Sequence, residues 1–207
     1  MSTDDLLIEV LLDARTRGFL GPGPVEYHVE HSRDLGEALG PFSGAFLDLG
    51  AGGGIPGLVL ALMWPEATAV LLDAQQQRGA FLAHAVDRLD LAQRIVVRTG
   101  RAERLAREGE LRGRFDLVVA RSFGGPAETA ECAVGFLAAG GRLAVTEPPE
   151  SEETSERWPA AGLAELGLGP AARIRSGRAG VAVMIALDAP DHRWPRRDGR
   201  PRKSPLW

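Results

Sequence analysis

The sequence predicts an α/β fold, a mostly parallel sheet of seven β-strands covered by helices on both faces. Between residues 46 and 146, short apolar runs alternate with segments of helical periodicity, which is typical of a parallel sheet. A glycine-rich turn, Gly50-Ala-Gly-Gly-Gly54, joins the first apolar run to a helix, as happens at the carboxyl edge of a parallel strand. Two apolar runs on either side of residue 178 predict a closing pair of strands.

Two helices are predicted before the sheet. The first begins at Thr3, where a cap residue and two aspartates precede an apolar repeat, and it ends near Gly18. The second covers residues 25–39 and ends at the Gly-Pro pair that follows. Residues 1–40 are therefore expected to form an N-terminal helical part that acts as a lid or flanks the substrate.

The predicted Rossmann-like core covers residues 45–187, and a basic C-terminal tail covers residues 188–207 of the same single domain. Within the core, apolar runs predict strands over residues 46–48, 69–73, 93–98, 115–120, 140–146, 172–175 and 181–187. Helical periodicity predicts helices over residues 55–64, 75–89, 126–138 and 158–166, with a short helix after residues 99–103. Residues 147–157 are predicted to form a polar loop.

The glycine-rich turn has the pattern of a nucleotide-binding loop. Glycines adopt positive φ and let a ligand approach the backbone closely. The pattern Asp48-x-Gly50-x-Gly52-x-Gly54 favours S-adenosylmethionine, because a carboxylate at the strand end can face a cationic amino group and would repel a pyrophosphate. Asp73 closes the next apolar run, about 20 residues on, where a carboxylate accepts ribose hydroxyls. A glycine-rich turn that binds no ligand is the alternative.

Composition limits the class of protein. The 207 residues include one cysteine, Cys132, which predicts a reduced, cytoplasmic protein without an internal disulfide or a zinc site. No apolar run is long enough for a transmembrane helix, and the acidic start does not have the pattern of a signal peptide. No grouping of His, Cys and Asp has metal-ligand spacing, so no metal is expected. We expect a monomer that does not associate with membranes.

The tail differs in charge from the rest of the chain. The whole chain has a net charge of −4, yet from Asp191 onward six Arg and Lys residues accompany only two aspartates. A basic tail on an acidic body is a candidate nucleic-acid contact. The alternative is a tail that packs back on the domain.

With these motifs identified, the chain from Gly18 onward resembles the bacterial small-subunit ribosomal RNA guanine-N7 methyltransferases, the glucose-inhibited division protein B family. The resembling segments, in the family's order, are Gly18-Phe-Leu-Gly-Pro, Glu30-His31, Asp48-Leu-Gly-Ala-Gly-Gly-Gly-Ile-Pro-Gly57, Leu72-Asp73, Gly100-Arg-Ala-Glu103, Ala120-Arg121-Ser-Phe123 and Pro195-Arg-Arg-x-Gly-x-Pro-x-Lys-x-Pro-Leu206. Glu147 and Gln77 stand where lysines are usual in the family, which is expected to weaken phosphate contact. The resemblance implies the class I S-adenosylmethionine-dependent methyltransferase fold.

The motif and the resemblance together assign the site residues. Cofactor contacts are expected from Asp48, Gly50, Gly52, Gly54, Asp73, Ala102 and Glu103. Arg121 directly follows the fourth strand and is expected to be catalytic and to hold a substrate phosphate by a bidentate fork, the alternative being a salt bridge to Glu147. Further substrate contacts are expected from His31, Phe123, Arg196 and Arg197. Helix capping by Glu103 and simple packing of His31 are the alternatives for those two residues.

The resemblance implies methylation of guanine N7 in 16S ribosomal RNA, with that RNA or the small ribosomal subunit as partner. The N7 lone pair needs no strong base, and the chain has Ala120-Arg-Ser-Phe123 in place of the Asn/Asp-Pro-Pro-Tyr/Phe motif of amine methyltransferases. Methylation of a small molecule, which an acidic body and Glu147 would suit, and an inactive cofactor-binding paralogue are alternatives. A nicotinamide dehydrogenase is disfavoured because Tyr27, the only tyrosine, has no lysine four residues later.

Overall fold

The computed structural model describes residues 2–148 and 157–207, which form a seven-stranded sheet with helices on both faces. The strands are β1 (Ala45–Leu49), β2 (Thr68–Asp73), β3 (Ile95–Thr99), β4 (Phe115–Ala120), β5 (Leu137–Glu147), β6 (Ala172–Ser176) and β7 (Ala179–Ile185). The helices are α1 (Thr3–Thr16), α2 (Val25–Leu39), α3 (Gly57–Met63), α4 (Gln76–Arg88), α5 (Ala102–Leu105), α6 (Pro126–Val134), α7 (Ala160–Glu165) and α8 (Arg200–Lys203). The strand order is β3-β2-β1-β4-β5-β7-β6, with β7 antiparallel to both neighbours. The predicted fold class is confirmed.

The strand order brings the candidate site to one edge of the sheet. The chain winds outward from β1 in one direction through β2 and β3, and then returns to the other side of β1 with β4. Leu49 at the end of β1 pairs with Leu72 on β2 and with Ala120 on β4. The glycine-rich turn, the carboxyl end of β2 and the residues after β4 are therefore neighbours at the point where the strand order reverses, which is where open α/β sheets bind ligands.

Strand β5 begins earlier than the sequence pattern predicts. The predicted helix over residues 126–138 is shorter, because Leu137 already pairs with Phe115 of β4. The register then shifts at a bulge that contains Gly141, where a Cβ atom would lie 2.7 Å from the Phe115 carbonyl oxygen. The strand also extends to Glu147, which the sequence analysis assigned to a loop.

Two apolar clusters cover the two faces of the sheet. Helices α1 to α4 pack on one face, and α5 to α7 with the C-terminal segment pack on the other. Helix α2 packs against α3 and also against β6 and β7, so that the N-terminal helices are part of the main fold. Within the described ranges, no helix is long and apolar enough to cross a membrane.

The C-terminal segment, residues 188–207, folds back onto the domain. Arg112 donates hydrogen bonds to the carbonyl oxygens of Pro190, Asp191 and Trp194. Trp194 is buried and donates its indole N–H to the Glu165 carbonyl oxygen. The tail therefore packs against the domain, and the nucleic-acid contact that the sequence analysis also considered for it stays a prediction.

Candidate cofactor and substrate site

The glycine-rich turn is hydrogen-bonded to the carboxyl end of the neighbouring strand, β2. The N–H groups of Gly50 and Ala51 both donate to the Leu72 carbonyl oxygen at 2.9 Å. Gly50 has a φ of +79°, and a Cβ atom there would lie 2.7 Å from the ring of Phe123. A side chain at this position would be strained and would also displace the aromatic ring that packs on the turn.

Asp48 lies behind the turn and is not among the residues that line the three cavities described below. Its carboxylate is fully buried, and Oδ2 accepts a hydrogen bond of 2.8 Å from the backbone N–H of Gly57 at the start of α3. Oδ1 is buried with no hydrogen-bond partner among the described residues. Burial, reinforced by the charge of Asp73, raises the pKa of Asp48 to about 7. A Cβ atom on Gly54 would meet the side chain of Leu58, so this position is packed from inside the turn. The cofactor contacts expected of Asp48 and Gly54 stay predictions.

Asp73 lies at the end of β2 and lines a cavity. Its side chain is 5% exposed; Oδ2 accepts from the N–H of Gly52 at 3.0 Å, and Oδ1 accepts from the N–H of Gln75 at 2.9 Å. The guanidinium of Arg78 lies 3.6 Å from Oδ2. Two backbone donors thus fix the carboxylate between the turn and α4, and each oxygen keeps a second acceptor site.

The cavity beside Asp73 has a volume of about 240 Å³, and we call it the inner cavity. Ala102 and Glu103 line it from the start of α5. Glu103 Oε1 accepts from Arg101 at 2.6 Å and from the backbone N–H of Gly199 at 2.8 Å. Burial acts to raise the pKa of Glu103, but these hydrogen bonds outweigh it and lower that pKa. Glu103 therefore anchors the C-terminal segment as well as lining the cavity.

A second cavity, of about 370 Å³, lies on the other side of the glycine-rich turn, and we call it the turn cavity. The loop between α1 and α2 closes it, through residues 18–21. His28 and Arg121 complete its wall. Gly50 and Arg78 line both this cavity and the inner cavity, so the two spaces meet at the turn.

Arg121 lines both the turn cavity and a third cavity. Its Nη2 donates a hydrogen bond of 2.7 Å to His28 Nδ1, and its Nη1 is buried without a partner among the described residues. The expected alternative, a salt bridge to Glu147, does not form. Glu147 instead accepts from the indole N–H of Trp158 at 3.0 Å and lies 3.3 Å from Nε of Arg157.

The third cavity has a volume of about 380 Å³, and we call it the outer cavity. Arg121 and Phe123 lie on its inner side, and Glu147 and Trp158 lie on its walls. His31 also lines it; burial, and then the charge of Arg121, lowers the pKa of this histidine. The structure thus brings His31, Arg121 and Phe123 together, as the sequence analysis expected of substrate contacts.

The two tail arginines have different environments. Arg196 forms a bidentate ion pair with Glu131, at 2.6 and 2.8 Å, and the Glu131 side chain is completely buried. This pairing gives Arg196 a structural role on the domain. The substrate contact that the sequence analysis expects of Arg196 stays a prediction. Arg197 is exposed.

Sequence reasoning missed two contributors to the site. His28 contacts Arg121 directly, although the sequence analysis did not assign it a site role. The available signal was its position one helical turn before His31 on the same face of α2. Trp158 could not be placed, because its contact with Glu147 depends on how the chain returns after the long polar segment.

Comparison with known proteins gives a consistent result. A family model described as "GidB: rRNA small subunit methyltransferase G" matches residues 25–159. A protein of Prochlorococcus marinus named ribosomal RNA small subunit methyltransferase G is 31% identical over 167 residues, which cover 78% of this chain and 67% of that protein. A protein of the same name from a Mycobacterium species is 33% identical over 144 residues, or 68% of this chain and 62% of that protein. The chain therefore spans about two thirds of the length of these relatives.

Solved structures resemble the fold at low sequence identity. An O-methyltransferase from Bacillus cereus, determined in complex with SAH, superposes with a TM-score of 0.59 at 16% identity. The superposition covers 90% of this chain and 92% of that one. It supports the sheet order and the placement of the helices described above.

Proposed function

The chain belongs to the rRNA small subunit methyltransferase G family, and from this premise we propose that it transfers the methyl group of S-adenosylmethionine to N7 of a guanine in 16S ribosomal RNA. The observation that carries the proposal is the junction of three cavities, in which the outer and turn cavities share Arg121 and the turn and inner cavities share Gly50. Two of them lie where a nucleoside cofactor binds in this class of sheet, and the outer cavity adjoins them.

The residues around the inner and turn cavities fit this cofactor. Asp73 has a fixed carboxylate with acceptor sites left over, which suits the two hydroxyls of a ribose. Ala102 lines the same cavity and offers a small surface to a base. Arg121 lines the turn cavity, where its positive charge can attract a carboxylate, and the bare backbone of the glycine-rich turn lets a ligand approach closely. When bound, S-adenosylmethionine supplies an activated methyl group on a sulfonium.

The residues of the outer cavity suit an aromatic ring with a nucleophilic nitrogen. Phe123 and Trp158 offer surfaces on which a base can stack. Arg121 borders both the turn cavity and the outer cavity, so it can orient the base at the point of transfer. Guanine N7 carries a lone pair and has no proton to lose, which agrees with histidines whose pKa values are lowered and which face an arginine.

Glu147 stands where the family usually has a lysine, so a negative charge replaces a positive one. A neighbouring arginine partly offsets this reversal of charge. Arg157 lies 3.3 Å from the Glu147 carboxylate, so the reversed charge is paired at the cavity wall. An RNA phosphate or base that approaches this wall therefore meets an ion pair and an indole ring instead of an isolated negative charge. Methylation of RNA remains compatible with this wall.

We further propose that the protein acts in the cytoplasm, where small ribosomal subunits are assembled, and that it acts as a monomer. Sedimentation of the purified protein with and without S-adenosylmethionine tests the monomer.

The test of the function is methyl transfer with labelled S-adenosylmethionine to small ribosomal subunits from a strain that lacks the modification. We expect the label in 7-methylguanosine after digestion of the 16S RNA to nucleosides. Replacement of Arg121 by Ala is expected to reduce the rate roughly a hundredfold, because the base is no longer oriented. Tight S-adenosylmethionine binding with no label in RNA would contradict the proposal and would favour a small-molecule substrate.

A further inference from the structure

The C-terminal segment forms a concave surface that the candidate site does not use. It is a cavity of about 740 Å³ between the segment and the residues that follow α5. Its cationic lining residues, which define what we call the basic cleft, are Arg107, Arg193, Arg196, Arg197, Arg200 and Lys203. Because the whole chain has a net charge of −4, this concentration of positive charge is a local feature.

Some of these cations are engaged and others are free. Asp198 also lines the cleft, and its carboxylate pairs with Arg104 at 2.8 Å and with Arg107 at 3.0 Å, which lowers the pKa of Asp198. Across the described ranges, Arg197, Arg200 and Lys203 form no ion pair. The cleft therefore presents three unpaired positive charges, and the carboxylate beside them is already neutralised.

The free cations stand on an ordered surface. The Arg196–Glu131 ion pair fixes the segment on one side, and the hydrogen bond from the Gly199 N–H to Glu103 fixes it on the other. Both acidic partners are buried. Since the backbone around the free cations is already folded, binding a polyanion there does not require ordering a flexible tail.

The segment also connects the cleft to the candidate site. Arg202, one residue before Lys203, lines the inner cavity. Trp207 at the end of the chain donates its indole N–H to the carbonyl oxygen of Arg157, which lines the outer cavity. The basic cleft and the outer cavity thus lie at the two ends of one ordered segment.

We propose that the basic cleft binds the sugar–phosphate backbone of the RNA substrate at phosphates away from the guanine that is methylated. This proposal rests on the proposed function. The cleft offers arginine guanidinium groups and a lysine ammonium group, which are the side-chain groups that commonly bind phosphate oxygens. Among the described residues, no Phe, Tyr or Trp side chain lines the cleft, and its lining includes the exposed ring of His192. Positive charge is therefore the main feature that the cleft offers to RNA.

The test compares two triple variants of the full chain. One carries Arg197→Gln, Arg200→Gln and Lys203→Gln in the cleft; the matched control carries Arg15→Gln, Arg114→Gln and Arg173→Gln, which remove three exposed charges elsewhere. Binding of a 16S RNA transcript is measured by filter retention over a range of salt concentrations. S-adenosylmethionine affinity, measured by calorimetry, reports whether each variant is folded.

In the cleft variant we expect RNA affinity to fall roughly tenfold or more and the salt slope, log K against log salt, to decrease in magnitude by about 2. The control is expected to stay near the wild type, and both variants should keep the S-adenosylmethionine affinity. If the cleft variant keeps the wild-type RNA affinity and salt slope, or if the control loses as much, the cleft assignment is overturned. Methyl transfer to RNA by the wild type would still support the proposed function in that case. A wild-type protein that binds S-adenosylmethionine but neither binds nor methylates the RNA would overturn both.

Discussion

Asp48 is a buried carboxylate whose protonation is coupled to folding. Burial, with a contribution from Asp73, raises its pKa to about 7. In the unfolded chain an aspartate loses its proton well below that pH, so the stabilisation that the protonated form gives is present in acid and is lost as the pH rises toward and through about 7. The turn at the cofactor site is therefore expected to become less stable across this window.

We predict that Asp48→Asn removes this pH dependence. The free energy of unfolding, measured with urea between pH 5 and 8, should decline less steeply in the variant than in the wild type, because the amide does not ionise. The exposed Asp87→Asn change on α4 is the control and should leave the pH profile unaltered. Parallel profiles for wild type and Asp48→Asn would show that this carboxylate does not titrate in that range.

His28 makes two contacts through its two ring nitrogens, and each contact can be tested by substitution. Its Nδ1 accepts from Arg121 at 2.7 Å, and its Nε2 faces the Gly21 carbonyl oxygen at 3.3 Å. An arginine can only donate, so the imidazole is neutral with its proton on Nε2. The histidine thereby joins Arg121 to the loop that closes the turn cavity.

Two substitutions distinguish these contacts. The Asn in His28→Asn can place its oxygen near the Nδ1 position, and the Gln in His28→Gln can place its amide near the Nε2 position. If orientation of Arg121 is the important role, we expect His28→Asn to keep most of kcat and His28→Gln to lose roughly ten- to a hundredfold. The reverse order would assign importance to the loop contact, and unchanged rates in both variants would exclude a positioning role.

At the scale of elements, an ion pair with a buried glutamate is one of the contacts that hold the C-terminal segment on the domain. Glu131 on α6 is completely buried, and Arg196 neutralises it through two hydrogen bonds. We predict that Arg196→Met lowers the free energy of unfolding by about 3 kcal/mol, because it leaves a buried charge without its partner. Arg197→Met on the adjacent exposed residue should change it by less than about 0.5 kcal/mol. Urea unfolding of both variants at one pH makes the comparison, and similar losses would refute the assignment of the ion pair.

The sequence predicts elements well where the signal is local. Asp73 could be placed at the end of β2 because an apolar run and its final carboxylate define the strand end. The start of β5 could not be found, since the bulge at Gly141 arises from pairing with β4 and leaves no local periodicity. The role of Arg196 was hidden for the same reason, because its partner Glu131 lies 65 residues away.

At the scale of the whole molecule, the cofactor cavities join parts that are distant in sequence. The turn cavity uses the loop between α1 and α2, the glycine-rich turn and the end of β4. The inner cavity adds the end of β2, the start of α5 and Arg202 of the C-terminal segment. The alternation of strands and helices in the sequence predicted the sheet that aligns these elements. The contributions of residues 18–21 and of Arg202 to the cavities could be seen only in the tertiary structure.

Because so many elements meet at these cavities, we predict that S-adenosylmethionine stabilises the fold as a unit. At about one hundred times its dissociation constant it should add about 2.7 kcal/mol, which corresponds to a rise in Tm of roughly 5–10 °C for a chain of this length. NAD at the same concentration should give no rise. Asp73→Ala should weaken binding by about 1–3 kcal/mol and so reduce the rise by roughly a third to nine-tenths, because ribose hydroxyls would lose their charged acceptor. An equal rise with NAD, or an undiminished rise in Asp73→Ala, would show that the ligand does not bind at the end of β2.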